Sequence, residues 1–140
     1  MKVGNITFDC ADPERLCAFW AGALGYEKGE LPPDLRAELL AAGLSEEELG
    51  DRGVADDPEG HGPRLFFQRV PELKQAKNRM HLDINATPGR RAERHEVDAE
   101  VERLTALGAA VLHRHHSAWG PYPEYHYVMA DPEGNEFCVQ

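Results

Sequence analysis

Ile6-Thr7-Phe8-Asp9-Cys10 and Met80-His81-Leu82-Asp83-Ile84 are two copies of one alternating pattern, set 74 residues apart from Thr7 to His81. The same offset of 74 separates Asp57-Pro58-Glu59-Gly60 from Asp131-Pro132-Glu133-Gly134. Alternation of apolar and polar residues has the period of a β-strand, whose successive side chains go to opposite faces. Each half of the chain thus opens on a strand and closes on a DPEG turn followed by another strand. Such a repeat predicts two similar modules around a shared cleft.

Working outward, Asp12-Pro13-Glu14 starts a helix: an Asp at the N-cap, Pro at the first helical position, an acid in the first turn. Leu16, Phe19, Trp20, Ala23 and Leu24 follow at helical spacing, with Trp20 read as a core anchor, and Gly25 ends the helix. A short strand fits 26–31. Residues 32–52 break the strand rhythm and read as a helical insertion, with Leu35, Leu39 and Leu40 spaced for a helix and Ser45 with Glu48 spaced for a capping box. Val54 to Gly62 reads as a polar loop with room for a short strand, Arg64 to Val70 as a strand, and 71–78 as a polar linker.

The second half repeats the plan. Arg79 to Asn85 is a strand; Val97, Val101, Leu104 and Leu107 mark a helix over 91–107, stopped by Gly108. Ala110 to Arg114, Tyr125 to Met129 and Asn135 to Gln140 are strands, with Ser117 to Glu124 as a Gly/Pro loop. The expected class is α+β: two βαβββ modules, 1–70 and 79–140, forming curved sheets in a single domain over 1–140.

Bulk properties exclude whole function classes. A formal charge of −10 and a pI near 5.1 repel a nucleic-acid backbone. The densest basic group, Arg90, Arg91, Arg94 and His95, is surrounded by Glu93, Glu96, Asp98 and Glu100 and reads as a solvated helix face. No apolar run approaches the roughly 18 residues of a membrane span, and the N-terminus lacks a signal peptide's apolar region. Three cysteines without CxxC spacing, Cys10, Cys17 and Cys138, suit buried thiols in a reducing cytoplasm.

Three stretches carry a resemblance: Asp9-Cys10-Ala11-Asp12-Pro13-Glu14-Arg15-Leu16 with Phe19-Trp20 and Leu24-Gly25-Tyr26; Asn78-Arg79-Met80-His81-Leu82-Asp83; and Asp131-Pro132-Glu133-Gly134-Asn135-Glu136-Phe137-Cys138. The chain resembles the glyoxalase-like branch of the vicinal oxygen chelate superfamily, bacterial proteins of paired βαβββ units, over most of its length except 32–52. The resemblance implies a cleft that takes a small molecule, a homodimer, and in metal-dependent members a divalent ion held by His, Gln and Glu from the first and last strands of each unit. The matching positions here are His81 and Glu136.

Parity then assigns faces. Thr7, Asp9, His81 and Asp83 share the polar side of their strands, and Glu136, Cys138 and Gln140 that of the last strand, so these are expected to line the cleft. Trp119, Tyr122, Tyr125 and Tyr127 surround the Gly/Pro loop; Trp119 and Tyr127 are taken as further cleft residues, the alternative being that these aromatics only rigidify the turn. A catalytic metal (Zn, Ni, Fe or Mn here) needs about three protein donors at one point. The counterpart of His81 is Thr7, a weak ligand, and that of Glu136 falls near Arg64, which cannot ligate at all. Asp9 or Asp83 as substitutes sit roughly 6–7 Å along their strands. His113, Arg114, His115 and His116 read as a solvated edge, at most His113 and His115 sharing a face. Glu136 is the expected catalytic group, a base for proton abstraction beside a carbonyl with His81 as partner. Cys138 reads as an inert thiol rather than a nucleophile.

Two functions from different classes follow. One is a divalent-metal isomerase, lyase or dioxygenase acting on a small oxygenated substrate. The other is a metal-free module that binds or sequesters an aromatic, drug-like molecule. A third reading, weaker on these residues, is an interaction domain with a vestigial cleft.

Overall fold

A computed structural model describes residues 3–140. The chain divides into two compact units, Met1–Leu73 and Lys74–Gln140, with the boundary inside the expected linker. Each unit contains one four-stranded sheet, and both sheets have the same strand order.

In the first unit, β1 (Asn5–Cys10) leads into α1 (Pro13–Leu24), then β2 (Glu27–Lys28), β3 (Arg52–Asp56) and β4 (Arg64–Arg69). The sheet order is β1-β4-β3-β2, with β1 and β4 parallel and the other neighbours antiparallel. The α1 signals act as expected: Asp12 accepts from the Arg15 N–H at 3.1 Å, Pro13 stands in the first turn, and Gly25 takes the left-handed conformation that closes the helix (φ 69°). Its apolar stripe packs Leu16, Phe19 and Trp20 against Leu65 and Phe67, all nearly inaccessible to solvent. Phe8 stacks on Phe67 and meets Trp20, each with centroids 5.2 Å apart, so Trp20 is indeed a core anchor. β3 crosses α1 so closely that a Cβ on Gly53 would stand 3.2 Å from Cys17 Cβ.

The insertion is helical. It forms α2 (Pro33–Ala41) and α3 (Glu46–Leu49), the latter starting on the Ser45–Glu48 capping box. Neither helix buries a residue fully. Arg36 clasps the Glu46 carboxylate and so ties one to the other.

In the second unit, β5 (Asp83–Ile84), α4 (Arg94–Ala106), β6 (Ala110–Trp119), β7 (Tyr122–Ala130) and β8 (Glu136–Val139) give the order β5-β8-β7-β6. Val97, Val101 and Leu104 of α4 cover Met129, Phe137 and Val139. The two DPEG turns are built alike. Asp57 accepts from the N–H groups of Glu59, His61 and Gly62; Asp131 accepts from those of Glu133 and Asn135. The glycine of each turn has positive φ (70° at Gly60, 86° at Gly134), a conformation open to few other residues.

Several expectations need correction. The strand expected over Arg79–Asn85 is only Asp83–Ile84, because the preceding residues have a single ladder bond, from the Cys138 N–H to Leu82 O. The expected Ser117–Glu124 loop is instead strand: β6 and β7 pair up to Trp119 and Tyr122, leaving Gly120-Pro121 as a two-residue turn. Gly120 has φ 59°, which suits the first central position of a tight hairpin turn. The short strand allowed within Val54–Gly62 is β3, which starts earlier, at Arg52, and α4 begins at Arg94 rather than 91.

Candidate functional site

Ladder register fixes the faces of the second sheet. Asp83 pairs with Cys138, Cys138 with Val128, and Val128 with His113. Paired residues share a face, so Asp83, Glu136, Cys138, His126, Glu124, His113, His115 and Ser117 all lie on the side away from α4. Tyr127 pairs with Val139 and Arg114, on the opposite side. Its hydroxyl donates to Asp98 on α4 at 2.8 Å, alongside that of Tyr125 at 2.6 Å. Tyr127, expected as a cleft residue, instead faces α4, and both tyrosines lock that helix to its sheet. Trp119 stands at the hairpin tip, 75% exposed, against Tyr122.

His81 and Glu136 meet at one residue. The Asn78 N–H donates to Glu136 Oε2 at 2.9 Å, and His81 Nε2 lies 3.1 Å from Asn78 O. Two cations sit on the same pair. Lys74 Nζ is 3.2 Å from Glu136 Oε2, and Lys77 Nζ is 3.3 Å from His81 Nε2. Nε2 serves one neighbour at a time: protonated it donates to the carbonyl, unprotonated it accepts from Lys77. The Asn78 bond, then Lys74, hold the Glu136 carboxyl below the usual range.

This arrangement tests the residues against a divalent ion. A ligand to such an ion must offer free lone pairs, and here both donors carry an ammonium or a backbone partner. Like charges about 4 Å apart repel by roughly 4 kcal/mol per unit pair at an effective dielectric of 20. Among the described residues, no group of three His, Cys, Asp or Glu side chains converges as a metal site would require. As they stand, His81 Nε2 and Glu136 Oε2 are engaged by other partners and do not fit a catalytic metal.

In the first sheet the corresponding positions are engaged within their own unit. Thr7 pairs with Phe66 and Asp9 with Gln68, and Gln68 Nε2 donates to Asp9 Oδ1 at 2.7 Å. Matching the two parallel ladders, Asp9–Gln68 to Asp83–Cys138, makes Phe66 the counterpart of Glu136. The expected counterpart, Arg64, is thus corrected by two residues; Arg64 is spent on Asp56 through two bonds of 2.8 and 3.0 Å. Cys138 has a thiol pushed up by burial and by the neighbouring Asp83, which leaves it protonated and a poor nucleophile.

On the first sheet's face away from α1 lies a concavity of about 800 Å³. Leu35, Leu39, Leu44 and Leu49 of the insertion and its loop face Val54 and Phe66 of the sheet across it, and Arg52 and Arg64 also line it. Sequence reading found the helices and set them over the sheet or beside the cleft mouth, without identifying Val54 and Phe66 as the surface they face. It assigned no role to Lys74, Lys77 or Asn78, which sit in a linker without periodicity.

Residues 5–140 match a family defined by the glyoxalase-like domain. The chain belongs to that family. No curated protein sequence is significantly similar to this glyoxalase-like chain. Solved structures share its fold. A glyoxalase/bleomycin resistance protein/dioxygenase family enzyme from Burkholderia phytofirmans PsJN is 16% identical, with TM-score 0.63 over 99% of this chain and 97% of that one. A mutant of the fosfomycin resistance protein FosX from Listeria monocytogenes, complexed with Mn(II) and 1S,2S-dihydroxypropylphosphonic acid, is 15% identical, with TM-score 0.64 over 99% and 88%. Lactoylglutathione lyase from Agrobacterium tumefaciens is 18% identical, with TM-score 0.56 over 99% and 91%. At these identities the likeness speaks for the glyoxalase-like fold alone.

Proposed function

We propose that this glyoxalase-like protein binds a small, largely apolar organic molecule without a metal ion. The observation that carries the reading is the pair of ammonium groups on the candidate ligands, Lys74 on Glu136 and Lys77 on His81. The leucine-walled concavity over Val54 and Phe66 supports it with a place of suitable size and character for such a molecule. The cleft role first expected for Thr7 and Asp9 in the first unit, and for Asp83, Cys138 and Trp119 in the second, is kept as part of the proposal. The reading includes one working domain over 1–140 and a bacterial cytoplasmic homodimer. The cytoplasm is supported by three cysteines that form no disulfide among the described residues, and the homodimer only by the family resemblance. Among the described residues, no helix is long and apolar enough to cross a membrane.

The second reading is a divalent-metal lyase, isomerase or dioxygenase with Glu136 as base. It is favoured by the meeting of His81 and Glu136 at Asn78. Metal analysis of untagged protein, with a thermal-shift screen of aromatic ligands with and without EDTA, separates the two. Metal-free protein whose ligand-induced rise in Tm survives EDTA and His81→Ala supports binding alone. Stoichiometric metal that is lost in His81→Ala, with ligand stabilisation lost on chelation, overturns it.

A further inference from the structure

The second unit has its own concavity of about 850 Å³, between the loop leading into α4 and the start of β7. Arg90, Arg91 and Arg94 line it, together with Pro123, Tyr125 and His126. These arginines have different states. Arg90 is spent: it grips Glu96 through two bonds, while Thr87 Oγ1 donates to its carbonyl at 3.0 Å. Gly89 makes the preceding bend with φ 71°. Arg91 donates to Pro123 O and so pins the loop to β7. Arg94 lies over the Tyr125 ring, 5.4 Å from its centroid.

Each guanidinium has five N–H donors. Among the described residues, no carboxylate lies within ion-pair distance of Arg91 or Arg94. Two acids share the lining, Glu93 and Glu124. Glu124 is engaged by His115 at 3.2 Å and by Ser117 at 3.3 Å. At the α4 N-cap, the Glu93 N–H donates to Glu96. Available donor capacity therefore sits on Arg91 and Arg94, and Arg90 fixes the loop that carries them.

We propose that this concavity is a binding site for a small organic acid. Its carboxylate is held by the Arg91 and Arg94 guanidiniums, and its apolar part lies along Pro123 and His126. The site uses no residue of the leucine-walled concavity and does not depend on metal, so it stands or falls apart from the function proposed above.

The test uses benzoate as the probe, with benzamide as its uncharged counterpart, in amide-resolved NMR titrations of the whole chain at low salt. Benzoate is expected to shift the Gly89, Arg94 and His126 amides saturably, and benzamide to leave them still. The double variant Arg91→Gln, Arg94→Gln is expected to weaken benzoate about tenfold or more, as charge-assisted bonds require. Equal response to benzamide, shifts confined to other regions, unchanged affinity in the double variant, or no saturable binding each overturns the assignment. The benzoate–benzamide comparison on the unaltered protein decides the matter even where the double variant fails to fold.

Discussion

Lys74 Nζ stands 3.2 Å from Glu136 Oε2, so the acid best placed to bind a cation already has one. Both side chains are mostly shielded from water, at 27% and 14% exposed. Glu136 titrates below its ordinary range because of the Asn78 N–H first and the Lys74 charge after it. A depressed folded-state pKa adds stability above the unfolded value, about 4.3 for Glu. That contribution is lost as pH falls through the folded value. Lys74→Met should cost about 1 kcal/mol at pH 7, and its effect should shrink below pH 4. The Glu136 midpoint should rise but stay depressed, since the Asn78 bond remains. Urea unfolding at both pH values, with carboxyl NMR titration, checks this; a variant equal to wild type at pH 7 contradicts it.

What the sequence revealed were features closed within a few residues. The Asp57 and Asp131 turns draw all these side-chain bonds from within five positions, and the Ser45–Glu48 box from within three. The α1 caps are equally local. Register is not local. Placing Tyr127 required knowing that Val128, not its neighbour, pairs with Cys138. Placing Phe66 opposite Thr7 required the parallel ladder between segments nearly sixty residues apart. A one-residue change in register turns every side chain over, and no local signal set it here. A register shift between Val111 and His113 adds to the difficulty. Lys74 and Lys77 were invisible for another reason: a polar linker shows composition but no period, so nothing indicated which side chains reach the strand ends.

Arg90 and Glu96 make a second titratable pair. The Arg90 guanidinium, then the Glu93 N–H, lower the Glu96 carboxyl to about 2. Arg90→Gln should return that midpoint toward the ordinary carboxylate range. The sign is that of any depressed acid: the pair helps the fold above the unfolded value and ceases to help as pH falls toward 2. Hydrogen exchange at Gly89–Arg91 should quicken in the variant, because Arg90 anchors that loop. A Glu96 carbon shift titrating alike in both proteins speaks against the link.

Cys138 and Cys17 should be slow thiols. Burial raises both, Cys17 to about 11, and its Sγ–H donates to Val54 O at 3.2 Å. Asp83 adds to the rise at Cys138 by charge and by hydrogen bonding. Asp83→Asn should therefore lower the Cys138 value and speed its alkylation by iodoacetamide at pH 8. The rate at Cys17, in the other unit, should not change. Mass-resolved kinetics report each site separately. Wild-type Cys138 alkylating as fast as a free thiol would restore it as a candidate nucleophile.

Removal of 33–49, with a short Gly/Ser linker in its place, asks what the insertion contributes. α2 and α3 bury no residue fully, and Leu35 is 42% exposed, so each leucine gives up only part of its contact with water. Partial burial of a leucine is worth about 1 kcal/mol. Against this, the ordered insertion backbone costs about 1–2 kcal/mol per residue in conformational entropy. Its own helical hydrogen bonds and the Arg36–Glu46 clasp offset much of that, and they vanish with it. The sheet keeps its supports, because the Arg69 N–H bond to Asp51 O and the Gly29 N–H bond to Val54 O both lie outside the deleted stretch. The shortened chain should melt within a few degrees of wild type with an unchanged circular dichroism signature for the sheet. It should lose the ligand-induced rise in Tm altogether, since four of the leucines facing Phe66 are then gone or displaced. Failure to fold would make the insertion part of the core, and ligand stabilisation at the wild-type level would move the binding site away from it.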